Sequence, residues 1–258
     1  MIRPLAFAAL AATLAAPAAA ADSATSGWQF EVVPYVWLPT IGGTFRGDAA
    51  GGGSTDFEIK PGSYLKGFES GIAVTGEVRK GRVFVYSDLM YLRLGSDKST
   101  VIGVDPGLVL DTSFTLRMTM WSAVGGYTVA TGSWGRVDAF AGARLAGTEF
   151  DGSFDLSLPL AGTGRSTTSF SGSEAIWNGI IGTKGRIQLG RNWFLPFYAD
   201  IGTGDSDFTY QLAGGIGYQT GWLGVSLGWR ALVMNQPADE PVDRLTLGGP
   251  TLAFNMNF

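Results

Sequence analysis

TLAFNMNF, residues 251–258, alternates apolar and polar side chains as far as Phe258. Leu252, Phe254, Met256 and Phe258 fall on one face of an extended chain, with Thr251, Asn255 and Asn257 on the other. Period-two alternation of this kind marks a strand with one apolar face. Its length and the large apolar side chains on one side predict a closing strand whose apolar face meets lipid and whose polar face meets an interior.

Working back along the chain, the same pattern recurs. WQFEVVPYVWLP (28–39) sets Trp28, Phe30, Val32, Pro34, Val36 and Leu38 against Gln29, Glu31, Val33, Tyr35 and Trp37. SGIAVTGEVRK (70–80) leads through RKGR (79–82) into VFVYSDLMYLRLG (83–95). SFTLRMTMWSAVGGYTV (113–129) is read with Phe114, Leu116, Met118, Met120 and Val124 facing lipid, against Arg117, Thr119 and Tyr127. Five more stretches follow, at 135–147, 175–189, 193–202, 207–219 and 222–234, before the closing one. That gives ten candidate strands, with eight or twelve also open, because residues 149–173 could form a hairpin above the membrane or an extra strand pair. Short Gly-rich turns (RKGR, VATGSWG, LGRN, QTGW) alternate with longer polar segments at about 40–67, 96–111, 149–173 and 235–243. Short turns at one end and long loops at the other are the pattern of a closed, antiparallel, up-and-down transmembrane β-barrel. Closure follows from physics, since an open sheet edge in hydrocarbon leaves N–H and C=O groups unsatisfied. A soluble β-sandwich or lipocalin-like barrel with its faces reversed is the competing fold.

Composition agrees with a membrane barrel. Only 16% of the 258 residues are charged, 12% are aromatic, and glycine numbers 39. No window approaches the ~18–20 apolar residues of a membrane helix. Cysteine and histidine are both absent. Arg3, the apolar run Leu5–Ala16 and PAAAADS (17–23) read as a secretory signal over residues 1–21, cleaved near Ala20 or Ala21. Residues 22–258 then form one barrel domain. Without Arg3, 17 basic residues face 22 acidic ones, a net charge of −5 that argues against nucleic-acid binding.

PYVWLP (34–39), SDLMYLRLG (87–95), DIGTGDSDFTYQLAGGIGY (200–218) and LGWRALVM (227–234), with the terminal Phe258, resemble a group of uncharacterised Gram-negative outer-membrane β-barrel proteins. The resemblance covers most of the mature chain, and its motifs mark strands rather than chemistry. It implies a cell outer membrane location with no established activity. It also implies that the last strand, with Phe254, Met256 and Phe258, is the signal read by the barrel assembly machinery.

On the assigned phases the interior receives Glu31, Glu77, Arg79, Asp88, Arg117, Arg136, Asp138, Arg144, Lys184, Arg186, Asp200 and Arg230. A narrow lumen filled by these groups is expected to pair them, because unpaired buried charge is costly. The expected role is envelope structure or surface interaction, by a monomer among outer-membrane lipid and lipopolysaccharide. The alternative is a narrow pore or small-solute channel that favours anions, since basic groups are in excess. Carboxylates in the connections, such as Asp56, Glu58, Glu149, Asp151, Asp205 and Asp207, suit a solvated surface; hard-oxygen binding of divalent cations is the alternative. No metal site and no cofactor are expected. A lipid-modifying enzyme is a third class. The small-barrel phospholipases, lipid A deacylases, palmitoyl transferases and omptin-type proteases resemble one another in using a histidine, which this chain lacks. A Ser–Lys dyad or paired carboxylates such as Asp88 and Asp200 would have to serve instead.

Overall fold

A computed structural model describes residues 27–46, 54–96, 109–157, 165–238 and 242–258. The leader expected over 1–21 lies outside these residues. Strands β1 (Trp28–Trp37), β4 (Phe68–Lys80), β5 (Val83–Ser96), β6 (Val109–Gly132), β7 (Gly135–Ser157), β8 (Arg165–Gln188), β9 (Trp193–Gly204), β10 (Phe208–Thr220), β11 (Leu223–Asn235) and β12 (Val242–Asn257) pair in that order, each antiparallel to the next. β12 then returns to β1, so ten strands form a closed barrel. Two shorter strands, β2 (Thr40–Arg46) and β3 (Ser54–Ile59), extend one edge.

The turns explain the register. Lys80 faces Val83, and Thr220 faces Leu223, across two-residue loops. The first loop residue is glycine in each, Gly81 at φ 60° and Gly221 at φ 57°. A left-handed residue there gives the hairpin a twist matching its strands, and glycine takes it without steric cost. Closure is completed at the same end, where Phe258 N–H donates to Phe30 O at 2.8 Å and Phe30 N–H to Phe258 O at 3.1 Å. Trp28, Trp134, Trp193, Trp222 and Phe258 stand exposed around this short-turn rim. Between the rims the outer surface carries Val85, Ile181, Leu212, Ile216, Val225, Leu227 and Leu252, all exposed. An apolar band bounded by aromatics is what a barrel presents to lipid.

The other end is uneven. β6, β7 and β8 run 24, 23 and 24 residues, against 12 to 14 for β4, β5, β9, β10 and β11. The surplus, roughly ten residues at about 3.3 Å each, is a three-stranded sheet rising beyond the barrel proper. Residues 149–157 and 165–173 are therefore the tops of β7 and β8, not an extra pair of wall strands. Within the segment expected as a polar loop at 40–67, residues 40–46 and 54–67 also have structure. β1 breaks at Leu38–Pro39 and continues as β2, and a β2–β3 hairpin leads into a helical turn α1 (Pro61–Tyr64) and a 3-10 turn (Leu65–Gly67). Proline removes a ladder donor, which is why the wall strand divides there.

Candidate functional site

Inside the barrel three groups of charged side chains are arranged by strand register. Nearest the short-turn rim, Arg79 on β4 binds two carboxylates. Its Nε donates to Glu77 at 2.8 Å, and Nη1 and Nη2 reach the two oxygens of Asp138 at 3.2 and 2.6 Å. Thr128 Oγ1 donates to Asp138 at 2.6 Å, and Arg136 Nε does so at 3.1 Å. Lys184 Nζ closes the group on Glu77 at 2.5 Å. Its ammonium also lies 3.7 Å from the centre of the Tyr86 ring, and the Arg79 guanidinium 4.5 Å from that of Phe84. Charge-assisted bonds and ring faces together satisfy these ions where water is scarce.

The second group is Arg144 with Asp200, both fully buried and ion-paired, with Arg144 Nε 3.4 Å from Ser122 Oγ. The third is a ring of four. Arg230 Nη2 contacts Asp88 at 2.8 Å and donates to Gln211 at 2.9 Å; Nη1 donates to Tyr35 Oη at 2.9 Å; Tyr35 Oη donates back to Asp88 at 2.7 Å. Asp88 and Asp200 therefore each serve an arginine. They do not form a paired-carboxylate site.

A cavity of about 730 Å³ occupies the short-turn half of the lumen. It runs from rim residues Gln29, Gln188 and Asn257 up to Tyr35 and Arg230. Its charged lining is Glu31, Glu77, Arg79, Arg136, Lys184, Arg186 and Arg230, five cations to two anions. Arg186 stacks 3.4 Å from the centre of the Phe194 ring and donates to Gln188 and Gln219 at 3.3 and 3.5 Å. Beyond Arg230 apolar side chains gather inside the barrel. Trp37, Ile41, Met90, Met118, Met120, Leu232, Met234 and Leu247 form one buried cluster, with Tyr64 and Leu92 packed against it.

Arg117 is the exception among the twelve expected lumen charges. It projects outside the barrel, towards the exposed Glu149 and Asp151 at 3.5 and 3.1 Å. The phase of β6 is the reverse of that expected. Met118, Met120, Ser122 and Val124 point inward, while Trp121 and Tyr127 are exposed. The reason is the apolar cluster: where the lumen itself is apolar, an apolar stripe no longer marks the lipid face. Arg117→Ala is accordingly expected to change stability by less than about 1 kcal/mol, as exposed ion pairs do. Equilibrium urea unfolding in vesicles measures this.

Alternation alone missed Thr128. Thr128 keeps the inward phase of Met118 to Val124, and a register shift between Thr128 and Ala130 then brings Thr131 onto the cavity wall. A bulge of this kind switches which parity faces the core. Tyr35 was on the interior face with Glu31 by alternation, but nothing in the sequence tied it to Asp88, 53 residues away.

No family model and no curated protein matches the chain. Among solved structures it is similar to the outer membrane protease OmpT from Escherichia coli, at 12% identity and a TM-score of 0.45, covering 91% of this chain and 98% of that one. The translocator domain of the autotransporter NalP from Neisseria meningitidis gives 15% identity and a TM-score of 0.45 over 91% and 90%. The attachment invasion locus protein Ail of Yersinia pestis gives 11% and 0.35 over 91% and 100%. These are likenesses of the barrel, at identities that concern fold alone.

Proposed function

We propose that this outer-membrane-type barrel is an ion-tight scaffold that holds the β6–β8 sheet at the cell surface for interaction with lipopolysaccharide or a protein partner. One observation carries the reading: above the Arg230 ring, apolar side chains from Trp37 to Leu247 pack into one buried cluster inside the barrel, where an open channel would need a continuous polar lining. Below it the interior charges are largely satisfied by one another, the arrangement of a rigid packed interior rather than a conduction path. The reading is non-enzymatic. The chain offers no histidine, and Asp88 and Asp200 are each engaged by an arginine. It includes removal of a leader near Ala20 or Ala21 and delivery by the assembly machinery through the closing strand, with its Phe254, Met256 and Phe258.

Planar-bilayer recording of the purified barrel tests it. Silent membranes after verified insertion are expected; discrete, voltage-independent conductance steps would replace this reading with the pore.

A further inference from the structure

The wall of the barrel is incomplete at one place. β1 and β4 pair from Trp28↔Lys80 to Pro34↔Val74, and there the ladder stops. β4 continues for six further residues, Phe68–Ala73, with β5 as its strand partner on one side and, among the described residues, none on the other. β1 meanwhile turns at Pro39 into β2, which pairs with β12 and β3 instead. A seam therefore opens between β1–β2 and β4. It is flanked on the outside by Val36, Phe68 and Ile72, all exposed. The helical turns over Pro61–Gly67 lie in the connection between β3 and β4, where Tyr64 Oη donates to Pro39 O at 2.8 Å and its ring packs against the buried cluster.

Behind the seam lies the apolar cluster, and its chemistry is unusual for a small barrel. Four of the six methionines of the chain, Met90, Met118, Met120 and Met234, meet there. Methionine side chains re-pack readily around guests of different shape. At the floor of the cluster two buried donors have no acceptor among the described residues, Trp37 Nε1–H and Arg230 Nε–H. They are neighbours, with the guanidinium 4.7 Å from the centre of the Trp37 ring. Trp37 is 6% exposed and Arg230 7%. A buried donor without a partner is costly, and two together leave a place for an oxygen acceptor.

We propose that the seam between β1–β2 and β4 is a lateral entrance from the outer leaflet, through which a lipophilic small molecule with a single oxygen acceptor reaches the methionine-rich cluster. Its hydrocarbon body displaces methionine side chains, and its oxygen accepts from Trp37 and Arg230. The lipid phase delivers such a molecule to Val36, Phe68 and Ile72, and the β3–β4 connection with Tyr64 yields to admit it. The Arg230–Asp88–Tyr35–Gln211 ring lies between this cluster and the lower cavity. An apolar guest entering sideways needs no aqueous path, so the inference is compatible with ion-tightness but does not depend on it.

A diazirine-bearing long-chain methyl ketone, presented to the barrel in lipid nanodiscs and photolysed, tests this directly. Saturable labelling of Trp37, Met90, Met118, Met120 or Met234 is expected, suppressed by excess unlabelled ketone. Trp37→Phe keeps the apolar surface and removes the donor. It should raise the half-saturating ketone concentration by about five- to tenfold, the worth of one buried hydrogen bond, while leaving labelling by the matching diazirine alkane unchanged. Because the chain has no cysteine, Val36→Cys with Ile72→Cys can be bridged cleanly by a cleavable bis-thiol reagent. Bridging should slow interior labelling and cleavage should restore it. Labelling confined to outward residues such as Leu89, Trp121 and Ile181 overturns the proposal, as does interior labelling indifferent to Trp37→Phe and to the bridge. A failure here with silent bilayers would leave the scaffold reading in place; conductance steps would remove that reading without touching this one.

Discussion

Asp138→Ala is expected to destabilise the folded barrel by about 3–5 kcal/mol, the cost of stranding buried charge. Asp138 is completely buried and accepts from Arg79, Arg136 and Thr128. Alanine would leave Arg79, 3% exposed, with Glu77 as its remaining carboxylate, which it already shares with Lys184 and Arg136. Two anions now face three cations; with Asp138 gone, one anion would face all three. Asp138→Asn should cost less, since the amide keeps an acceptor oxygen while losing the charge. The double variant Arg79→Met with Asp138→Leu should recover much of the loss, because removing both ions removes the desolvation burden with them. Urea titrations of vesicle-embedded protein, followed by tryptophan emission, give all three numbers. If Asp138→Ala proved as mild as Arg117→Ala, the interior network would not hold the barrel together.

What alternation reveals is a period, and period alone does not say which face is inside. On β1, β8, β9, β10 and β12 the faces were legible, because charged or amide side chains such as Glu31, Lys184, Asp200, Gln211 and Asn255 alternate with large apolar ones and the lumen beside them is polar. On β6 the same rule gave the reverse orientation. Met118 and Met120 face an apolar part of the lumen, and Arg117 stands in polar surroundings outside, beside Glu149 and Asp151. On β7 alternation placed Arg144 inside with Arg136 and Asp138, where it pairs with Asp200. The closing contact was legible for a different reason. TLAFNMNF has the same phase as WQFEVVPYVW, and only adjacent strands with their apolar faces on the same side can seal a barrel; Met256 meets Val32 and Leu252 meets Val36 in the register.

The parts that remained hidden depend on distant strands or on defects in the ladder. The Tyr35–Arg230 contact joins residues 195 apart. The Thr128 bulge and the break at Pro39 each change local geometry without changing composition. Pro34 and Pro39 were visible as residues, yet proline is tolerated at edges, bulges and strand ends alike. Only the pairing of β1 with β4, ending at Pro34↔Val74, shows that here proline marks a gap in the wall. Pro34 thus lies on a strand whose alternation was easily read, and Pro39 just past its end, both beside a seam that no alternation encodes.

Leu227→Arg is expected to cost about 2–4 kcal/mol, the penalty for arginine on the lipid face near the bilayer midplane. Leu227 is 61% exposed, lies midway along β11 and pairs with Ile216 and Leu252, both outward and apolar. Its two register partners are apolar, so the guanidinium must snorkel or thin the bilayer. Ser226→Arg places the same side chain one residue away and on the opposite face. Ser226 lines the lower cavity, beside Asn255 at 3.2 Å, where there is room and polar company. Its cost should be well below that at Leu227, limited to one lost hydrogen bond and added repulsion from cations such as Arg230. The comparison holds composition constant and changes only the face. Measured by unfolding in the same vesicles, equal costs at the two positions would mean that the face of β11 opposite Leu227 is not a polar, accommodating interior. That would leave the ladder geometry intact and remove its assignment of inside and outside, on which the charge network, the apolar cluster and the seam all depend.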